Sequence, residues 1–332
     1  MRLTNSITFN SPSFETKDSV QLIAQNKDIE NTVQLIAQNE DIEKYIHASV
    51  SNNSRKAYQA DLAHFLSWGG IIPSTPEIIS QYLAKHATSH KPATLSRWLV
   101  SINKAHTSQS LKSPINSDLV KATLRGIKRT VGTQQRQVEP VLKNNLCDMV
   151  NGLEGIKGCR DRALLLIGFA GAFRRSELVG LQYSDLEFVE DGLIINLKHS
   201  KTDQEGIGRK IAIPYARGSV CPVLAIKTWI ELSKISEGAI FRPVTRHGRI
   251  EKTNLSSHAV AIIVKERVKA IGLDTCKFSG HSLRAGLVTS AAQAGVSSWK
   301  IRQQTGHRSD SMLARYIRDA RLFVDNAAGA VL

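Results

Sequence analysis

The segment VGTQQRQVEP at residues 131–140 divides the chain into two stretches that have separate apolar patterns. It is polar, contains Gly132 and lacks the apolar spacing that would bring a helix or strand into a core. A chain of 332 residues is also too long for one hydrophobic core of ordinary size. We therefore predict two domains, at residues 47–130 and 141–332, joined by this linker.

Residues 1–46 form a third region, an N-terminal arm outside both predicted domains. VQLIAQNKDIE at residues 20–30 recurs as VQLIAQNEDIE at residues 33–43, a period of 13 residues. Such a period advances an α-helix by about 1300°, so the two copies cannot share one apolar stripe. Two short copies are also too few to stack as a solenoid. We interpret the repeat as a local tandem duplication in a flexible or accessory arm.

Apolar spacing predicts a helical first domain. Ser54 is a candidate N-cap for a first helix that carries Tyr58, Leu62, Phe65 and Leu66, and Gly69 and Gly70 end it. Three more helices are predicted at residues 76–88, 92–108 and 116–130.

The second domain is predicted to combine helices with a small antiparallel sheet. Two strand-like runs in LEFVEDGLIINLKHS flank Asp191-Gly192, a pair typical of hairpin turns. GRKIAIP provides a third strand after the turn SKTDQEGIG. The apolar run at residues 163–173 is too short to span a bilayer and predicts a buried helix. The predicted helices of this domain cover residues 141–153, 159–172, 174–181 and 256–270, and the chain is mostly helical from there to its end.

The charge of the chain favours a polyanionic partner. The formal net charge is +15 and the pI is about 9.8. Residues 1–46 carry −3, residues 47–139 carry +8 and residues 140–332 carry +10. Both predicted domains are therefore basic, as expected of a protein that binds nucleic acid. A membrane-surface role is disfavoured because no basic amphipathic helix has an aromatic-rich apolar face.

The cysteines favour a reducing compartment. They are widely scattered and form no Cys-x-x-Cys pair, and the N-terminal sequence has no secretory signal. We expect reduced thiols in a cytoplasmic protein. The residues are Cys147, Cys159, Cys221 and Cys276.

Basic residues on predicted helices are the candidates for DNA contacts. A solvated charged face is the alternative explanation for any one of them. Basic helices in a basic domain favour contacts with phosphates and grooves. In the first domain the candidates are Lys91, Arg97, Lys104, Lys121, Arg125, Lys128 and Arg129, and in the helix at 256–270 they are His258, Lys265 and Arg267.

Five places in the second domain combine polar or basic residues that packing alone does not require. Each has an ordinary explanation by itself, since Arg and Lys are usually surface residues and His often lies near turns. Together they suit phosphoryl transfer, which needs charge stabilisation at the phosphate, a nucleophile and an acid for the leaving oxygen. The three carboxylates of a two-metal nuclease are not evident. The residues are Arg174 with Glu177, Lys201, His281 with Arg284, His307, and Tyr316.

These motifs resemble those of the tyrosine recombinase (phage integrase) family, most closely its Cre-like members, over residues 50–325. Arg174-Arg175-Ser176-Glu177-Leu178 is similar to the family's Arg-x-Ser/Ala-Glu-Leu motif, and His281-Ser282-Leu283-Arg284 to its His-x-x-Arg motif. Gly306-His307 with Tyr316 nine residues on is similar to the last motif, in which Cre carries tryptophan at the position of His307. Phe173 is larger than is usual before the first arginine.

The resemblance implies a role for each matched residue. Tyr316 would be the nucleophile, and Arg174, Arg284 and His307 would stabilise the charge on the phosphate. His281 would manage the tyrosine proton and Glu177 would support Arg174. Lys201 in the hairpin turn would be the acid, with Lys198 as the alternative.

The resemblance also implies an architecture and partners. The expected fold is mainly α with a small antiparallel sheet, in which a helical core-binding domain and a catalytic domain clamp DNA. The expected partners are a double-stranded site with inverted-repeat arms around a spacer, and further copies of the chain in a tetramer assembled by C-terminal helix exchange. No metal, other cofactor or ATP is implied, and the setting is the cytoplasm of a prokaryote.

Three alternatives remain open from the sequence. Tyr316 lies in a helical apolar pattern, where a tyrosine is ordinarily a core residue. Residues 291–306 have the spacing of a helix-turn-helix, which would make the protein a DNA-binding regulator without catalysis. A topoisomerase that relaxes DNA by rotation would use the same chemistry.

Overall fold

The computed structural model describes residues 44–46, 48–134, 137–198, 208–307, 309, 313–314, 316–317, 328 and 331. The chain divides into two compact units, one up to residue 135 and one from residue 136, a boundary inside the segment 131–140. The repeated arm at residues 20–43, the turn with Lys201 and the segment 318–327 lie outside the described residues.

Four longer helices form the described part of the first unit. Ser51 caps the first helix, since its hydroxyl accepts the Ser54 N–H at 3.3 Å. The predicted cap Ser54 is therefore wrong, because this residue already lies inside the helix and supplies the capped donor. The helices are α1 (Asn52–Trp68), α2 (Pro76–His86), α3 (Pro92–Thr107) and α4 (Asp118–Val131).

One apolar core holds these four helices together. Phe65 of α1, Tyr82 of α2, Leu95 and Ile102 of α3 and Val120 of α4 are almost completely shielded from solvent. Burying side chains of this size contributes about 1.5–3 kcal/mol each, so this core is a main source of the unit's stability.

The second unit contains seven longer helices among its described residues, together with a three-stranded sheet. Helix α6 is its centre, with residues 163–168 all buried. The helices are α5 (Lys143–Val150), α6 (Gly155–Ala170), α7 (Arg175–Gly180), α8 (Pro222–Ser233), α9 (Ser257–Ala270), α10 (Ser282–Gln293) and α11 (Ser298–Thr305).

The sheet is antiparallel in the order β1-β2-β3, with strands Leu186–Val189, Gly192–Leu197 and Arg209–Pro214. Gly192 pairs with Val189, so the two-residue turn consists of residues 190 and 191, one position earlier than the predicted Asp191-Gly192 turn. Gly192 has a φ of +155°, and a Cβ there would lie 2.2 Å from the Ile213 carbonyl oxygen. Only glycine permits this approach of β2 to β3.

The fold class agrees with the sequence prediction of a mainly helical chain with a small antiparallel sheet. Predicted helices agree with the observed ones to within a few residues at their ends. Among the described residues, no helix is both long and apolar enough to cross a membrane.

Candidate active site

Arg174 and Glu177 form the first part of the site. Arg174 precedes α7, and its main-chain N–H donates to Glu177 Oε2 at 2.9 Å. The Arg174 guanidinium also donates from Nη1 to Glu177 Oε1 at 2.6 Å. The Glu177 side chain is 2% exposed and that of Arg174 is 16% exposed. The carboxylate therefore caps the helix and fixes the orientation of the guanidinium.

Arg284 is held beside this pair from the N-terminal turn of α10. It is 1% exposed, and its Nη1 donates to the Ala172 carbonyl at 2.6 Å. Ala172 adopts a φ of +48°, which L residues rarely adopt. The chain between α6 and α7 is thus strained where it meets Arg284, as is common at functional sites.

His307 completes a connected network with Arg284. Its Nε2 lies 3.1 Å from Arg284 Nη2, and its Nδ1 lies 2.7 Å from Thr305 Oγ1. Arginine only donates, so Nε2 is the acceptor and Nδ1 carries the proton that is donated to Thr305. The Thr305 hydroxyl donates onward to the Ile301 carbonyl at 2.8 Å. The network therefore fixes one tautomer of His307.

Crowding of positive groups changes the pKa values in the site. Burial, followed by the charges of Arg284 and Arg174, lowers the pKa of His307 to about 3. Burial and Arg174 lower the pKa of Arg284 to about 10. Partial burial, followed by the charge of Arg284, lowers the pKa of His281, although the residue as a whole is exposed. Both histidines are consequently neutral in the free protein at neutral pH.

Tyr316 lies next to this cluster. It is half-buried and packs against the apolar cluster of Val288, Ala292, Ile301 and Leu313. It is also close enough to Arg284 for a negative charge on its phenol to raise the pKa of that guanidinium. The ring is thus anchored by apolar contacts while the side chain remains within electrostatic reach of Arg284.

Of the two candidate lysines near the hairpin, the structure describes one. Lys201 lies outside the described residues. Lys198, the alternative, places its ammonium group 2.8 Å from the buried carboxylate of Asp185. Lys198 is therefore engaged in an ion pair of its own.

The helix-turn-helix segment belongs to this same site. Residues 291–306 contain the end of α10, a turn and α11. Arg284 lies in the first turn of α10, and His307 follows α11 after Gly306. The two helices therefore position two of the candidate catalytic residues.

The predicted DNA contacts fall into two groups. One group is exposed on the surface: α4 buries Val120 and Ile127 and exposes a basic face, Lys91 is exposed before α3, and His258 and Lys265 are exposed on α9. That basic face consists of Lys121, Arg125, Lys128 and Arg129.

The second group has partners within the protein. Arg97 donates from Nε and Nη2 to the buried Asp61 carboxylate at 2.8 and 2.7 Å. Arg267 donates to the Met149 carbonyl at 2.8 Å, and the Lys104 ammonium lies 5.4 Å from the centre of the Tyr58 ring. These contacts give all three side chains a structural role.

Sequence reasoning missed Arg209, the first residue of β3. Its guanidinium lies 4.0 Å from Glu177 and lowers the pKa values of both Arg284 and His307. The alternation of β3 could have indicated it, because Arg209 lies two and four residues before the buried Ile211 and Ile213 and therefore shares their face of the strand. Within the described ranges, no group of three or more His, Cys, Asp or Glu side chains could hold a metal ion.

Comparisons with known proteins agree on one family. The phage integrase family matches residues 139–321. The chain is 42% identical over 291 residues to an integrase/recombinase XerD homologue of Selenomonas ruminantium, which covers 84% of this chain and 85% of that protein. It is 24% identical over 281 residues to the recombinase Cre of Escherichia phage P1, covering 78% and 79%.

A solved structure shows the same fold. A lambda integrase tetramer bound to a Holliday junction matches 93% of this chain and 86% of its own, with a TM-score of 0.60 and 18% sequence identity. At this identity, the likeness concerns the fold.

Proposed function

The chain belongs to the phage integrase family of tyrosine recombinases, and we propose that it breaks and rejoins DNA through a covalent bond between Tyr316 and a 3′ phosphate. Its activity is site-specific recombination of DNA. The observation that carries the proposed mechanism is the cluster of Arg174, Arg284 and His307 beside Tyr316. These groups are the donors that a phosphate undergoing attack requires.

In the cleavage step, the Tyr316 oxygen forms a bond to phosphorus while its proton passes to His281. The bond from phosphorus to the 5′ oxygen breaks, and that oxygen takes a proton from Lys201. The lowered pKa of His281 leaves its imidazole neutral, so it can accept a proton. The engagement of Lys198 with Asp185 supports Lys201 as the acid.

His307 must change its hydrogen bonding when DNA binds. In the free protein, its Nε2 accepts from Arg284. We infer that the phosphate takes over the Arg284 Nη2 donor and that its negative charge raises the pKa of His307, so that Nε2 takes up a proton from solvent while Nδ1 keeps its own. His307 then donates to a nonbridging oxygen. Arg174 supplies a second guanidinium, already held in orientation by Glu177.

Strand joining is the reverse reaction. A 5′ hydroxyl from a partner strand attacks the phosphotyrosine, the bond to Tyr316 breaks and the tyrosine recovers its proton. The phosphodiester energy is retained throughout, so the proposal requires no ATP. The guanidinium groups supply the positive charge that a metal ion provides in other phosphoryl transfer enzymes, so it requires no metal.

We assign DNA binding chiefly to residues 47–130 and catalysis to residues 141–332, acting together as a clamp on a duplex site with inverted-repeat arms. The exposed basic face of α4 supports this assignment. The setting that we propose is the cytoplasm of a prokaryote, on phage, plasmid or chromosomal DNA.

A cavity in the second unit supports assembly into a tetramer. It has a volume of about 490 Å³ and a mainly apolar lining that includes Leu146, Phe169 and Leu287, with Lys143 and Lys300 among its residues. Segment 320–332 offers Leu322, Phe323 and Val324, followed by an acidic residue at 325. We propose that this segment of a neighbouring copy occupies the cavity on DNA. Deleting 320–332 should then weaken assembly more than single-site binding, and equal losses would contradict exchange.

Covalent trapping tests the proposed reaction. The wild-type protein and Tyr316→Phe are incubated with nicked duplexes drawn from the DNA that flanks its gene, so that the short fragment released with a 5′ hydroxyl escapes after cleavage. We expect an SDS-resistant adduct with the wild type and none with Tyr316→Phe, which keeps the ring packing against Val288 and Ile301. Transfer of the trapped strand to a second duplex then separates recombination from relaxation. Specific binding by wild type without an adduct would contradict the proposal.

A further inference from the structure

Arg209 is a partly buried cation that has no role in the reaction steps proposed above. Alternate side chains of a strand share one face, so Arg209 points to the same side as Ile211 and Ile213. Its side chain is 19% exposed. Burial lowers the pKa of its guanidinium. A charged group in this position is costly unless it has partners that compensate for lost hydration.

One partner is the C-terminal end of α11. Arg209 Nη1 donates to the Gln304 carbonyl at 2.5 Å, and the Gln303 carbonyl lies 3.5 Å away. The last carbonyl groups of a helix lack partners within the helix and carry partial negative charge. Arg209 therefore holds the end of α11 against the start of β3.

The other partner is the carboxylate that orients Arg174. Arg209 Nη2 lies 4.0 Å from Glu177 Oε2, the oxygen that accepts the Arg174 main-chain N–H. One guanidinium thus connects Glu177, which orients Arg174, with α11, the helix that precedes His307. Arg174 and His307 are two of the groups proposed to hold the phosphate.

Gly306 allows this contact. It has a φ of +67°, and a Cβ at this position would lie 2.9 Å from both Cζ and Nε of Arg209. Glycine is therefore needed twice here, for the left-handed turn and for the approach of the guanidinium. His307 follows directly, so the Arg209 contact lies one residue from the imidazole.

The hydrogen bonding of Arg209 is incomplete. Its Nε and Nη2 are buried and have no hydrogen-bond partner among the described residues. A side chain selected for stability alone would ordinarily have its buried donors satisfied. The positive charge of Arg209 also disfavours the charged form of the neighbouring Arg284. These costs indicate that the residue serves the site rather than the fold alone.

We propose that Arg209 is a positioning residue of the active site, which sets the spacing between Arg174 and His307 by joining the end of α11 to Glu177. This inference rests on the proposed function. Loss of Arg209 should misplace the phosphate donors without removing any of them, and displacements of about 1 Å cost up to about 10²-fold in rate.

The test compares Arg209→Gln, Arg209→Lys and the control Lys210→Gln. Lys210 is the next residue on the same strand and is exposed, so its substitution removes one positive charge from the opposite face. The rate of adduct formation on the nicked duplex is measured at saturating DNA, together with duplex affinity and Tm. We expect Arg209→Gln to slow the reaction by about 10²-fold with little change in affinity.

Arg209→Lys should recover part of this loss because a lysine keeps the charge toward Glu177, and Lys210→Gln should react like the wild type. Wild-type rates in Arg209→Gln, or equal losses in Lys210→Gln, would overturn the proposal. So would a rate that falls only in proportion to the folded fraction. If Arg209→Gln does not fold, Arg209→Lys decides, since a wild-type rate there shows that the arginine geometry is not required. An inactive wild type would instead count against the proposed function.

Discussion

The Arg97–Asp61 pair of the first unit and the candidate site of the second unit handle charge in opposite ways. In the first unit, Arg97 and the buried Asp61 form a matched pair joined by two hydrogen bonds. In the candidate site, Arg174, Arg209 and Arg284 lie around the carboxylate of Glu177. A surplus of buried positive charge destabilises the free protein and is relieved when an anion binds. The surplus, rather than charge itself, therefore distinguishes a phosphate site from a structural ion pair.

The largest expected effect on the cleavage rate comes from removing one of these three arginines. Arg174→Ala should lower the rate of adduct formation by about 10²–10³-fold, since one transition-state donor is worth about 3 kcal/mol. Much of the duplex affinity should remain because many other contacts hold the DNA. Single-turnover trapping and a binding titration measure the two quantities.

Arg175→Ala is the matched control for this prediction. Arg175 is the adjacent residue and is exposed, so its loss should affect cleavage far less. Equal losses of binding and cleavage in Arg174→Ala would remove Arg174 from the catalytic role, and a larger cleavage defect in Arg175→Ala would reassign it.

A smaller effect is expected on the basic face of α4, where charge is solvated. Replacing Lys121, Arg125 and Lys128 together by Gln should weaken duplex binding and reduce the slope of log K against log salt by about 0.9 for each phosphate that is no longer neutralised. Adduct formation at saturating DNA should keep its rate. Fluorescence anisotropy over a range of salt concentrations measures the slope. An unchanged slope would show that this face does not bind phosphates.

Breaking the ion pair between Arg97 and Asp61 should lower the stability of the protein rather than its rate of cleavage. Arg97→Gln leaves the Asp61 carboxylate buried with Ser101 as its remaining hydroxyl donor, which should cost about 1–3 kcal/mol of unfolding free energy. Urea unfolding of the full chain measures this loss. Adding Asp61→Asn should restore part of the stability and leave the salt slope unchanged. A loss of DNA affinity at wild-type stability would instead make Arg97 a DNA contact.

The smallest expected effect is a pH dependence of stability. Burial and neighbouring charges lower the pKa of His307 to about 3, whereas an unfolded chain titrates near about 6.5. The unfolded state therefore binds more protons between these values, so stability is lost as pH falls below about 6.5. Tm should fall less between pH 7 and pH 5 in His307→Gln than in the wild type. Identical pH profiles would contradict a neutral, buried His307.

His86 in the first unit should also contribute to the pH dependence of stability. Burial and the nearby His64 and His90 lower its pKa as well, so His86→Gln should also flatten the pH dependence. Duplex DNA should diminish only the His307 contribution to the pH dependence of Tm, because of these two histidines we propose only His307 as a phosphate contact. A DNA effect on the His86 contribution would contradict the division of roles.

Local pattern was sufficient to predict much of the fold. Helix periodicity predicted the elements because the apolar faces that form the two cores repeat every three or four residues. Two predictions that depend on single contacts were wrong. The cap of α1 is Ser51 rather than Ser54, and the hairpin turn lies one residue before Asp191-Gly192, since Gly192 is needed inside β2.

The site was predictable where its contacts are local in sequence. The spacing of Arg174 and Glu177 places both side chains at one helix terminus, so their pairing follows from the motif. The contact between Arg284 and His307 joins residues 23 positions apart, and that between Arg209 and Gln304 joins residues 95 apart. Such contacts depend on how α10, α11 and β3 pack, which no local pattern encodes.

Identifying the atom that carries the DNA tests the proposed covalent mechanism most directly. The trapped adduct is digested with protease and nuclease, and the modified peptide is sequenced by mass spectrometry. We expect a nucleotide joined through its 3′ phosphate to Tyr316, with a free 5′ hydroxyl on the released strand. Attachment to another residue, or through a 5′ phosphate, would contradict it.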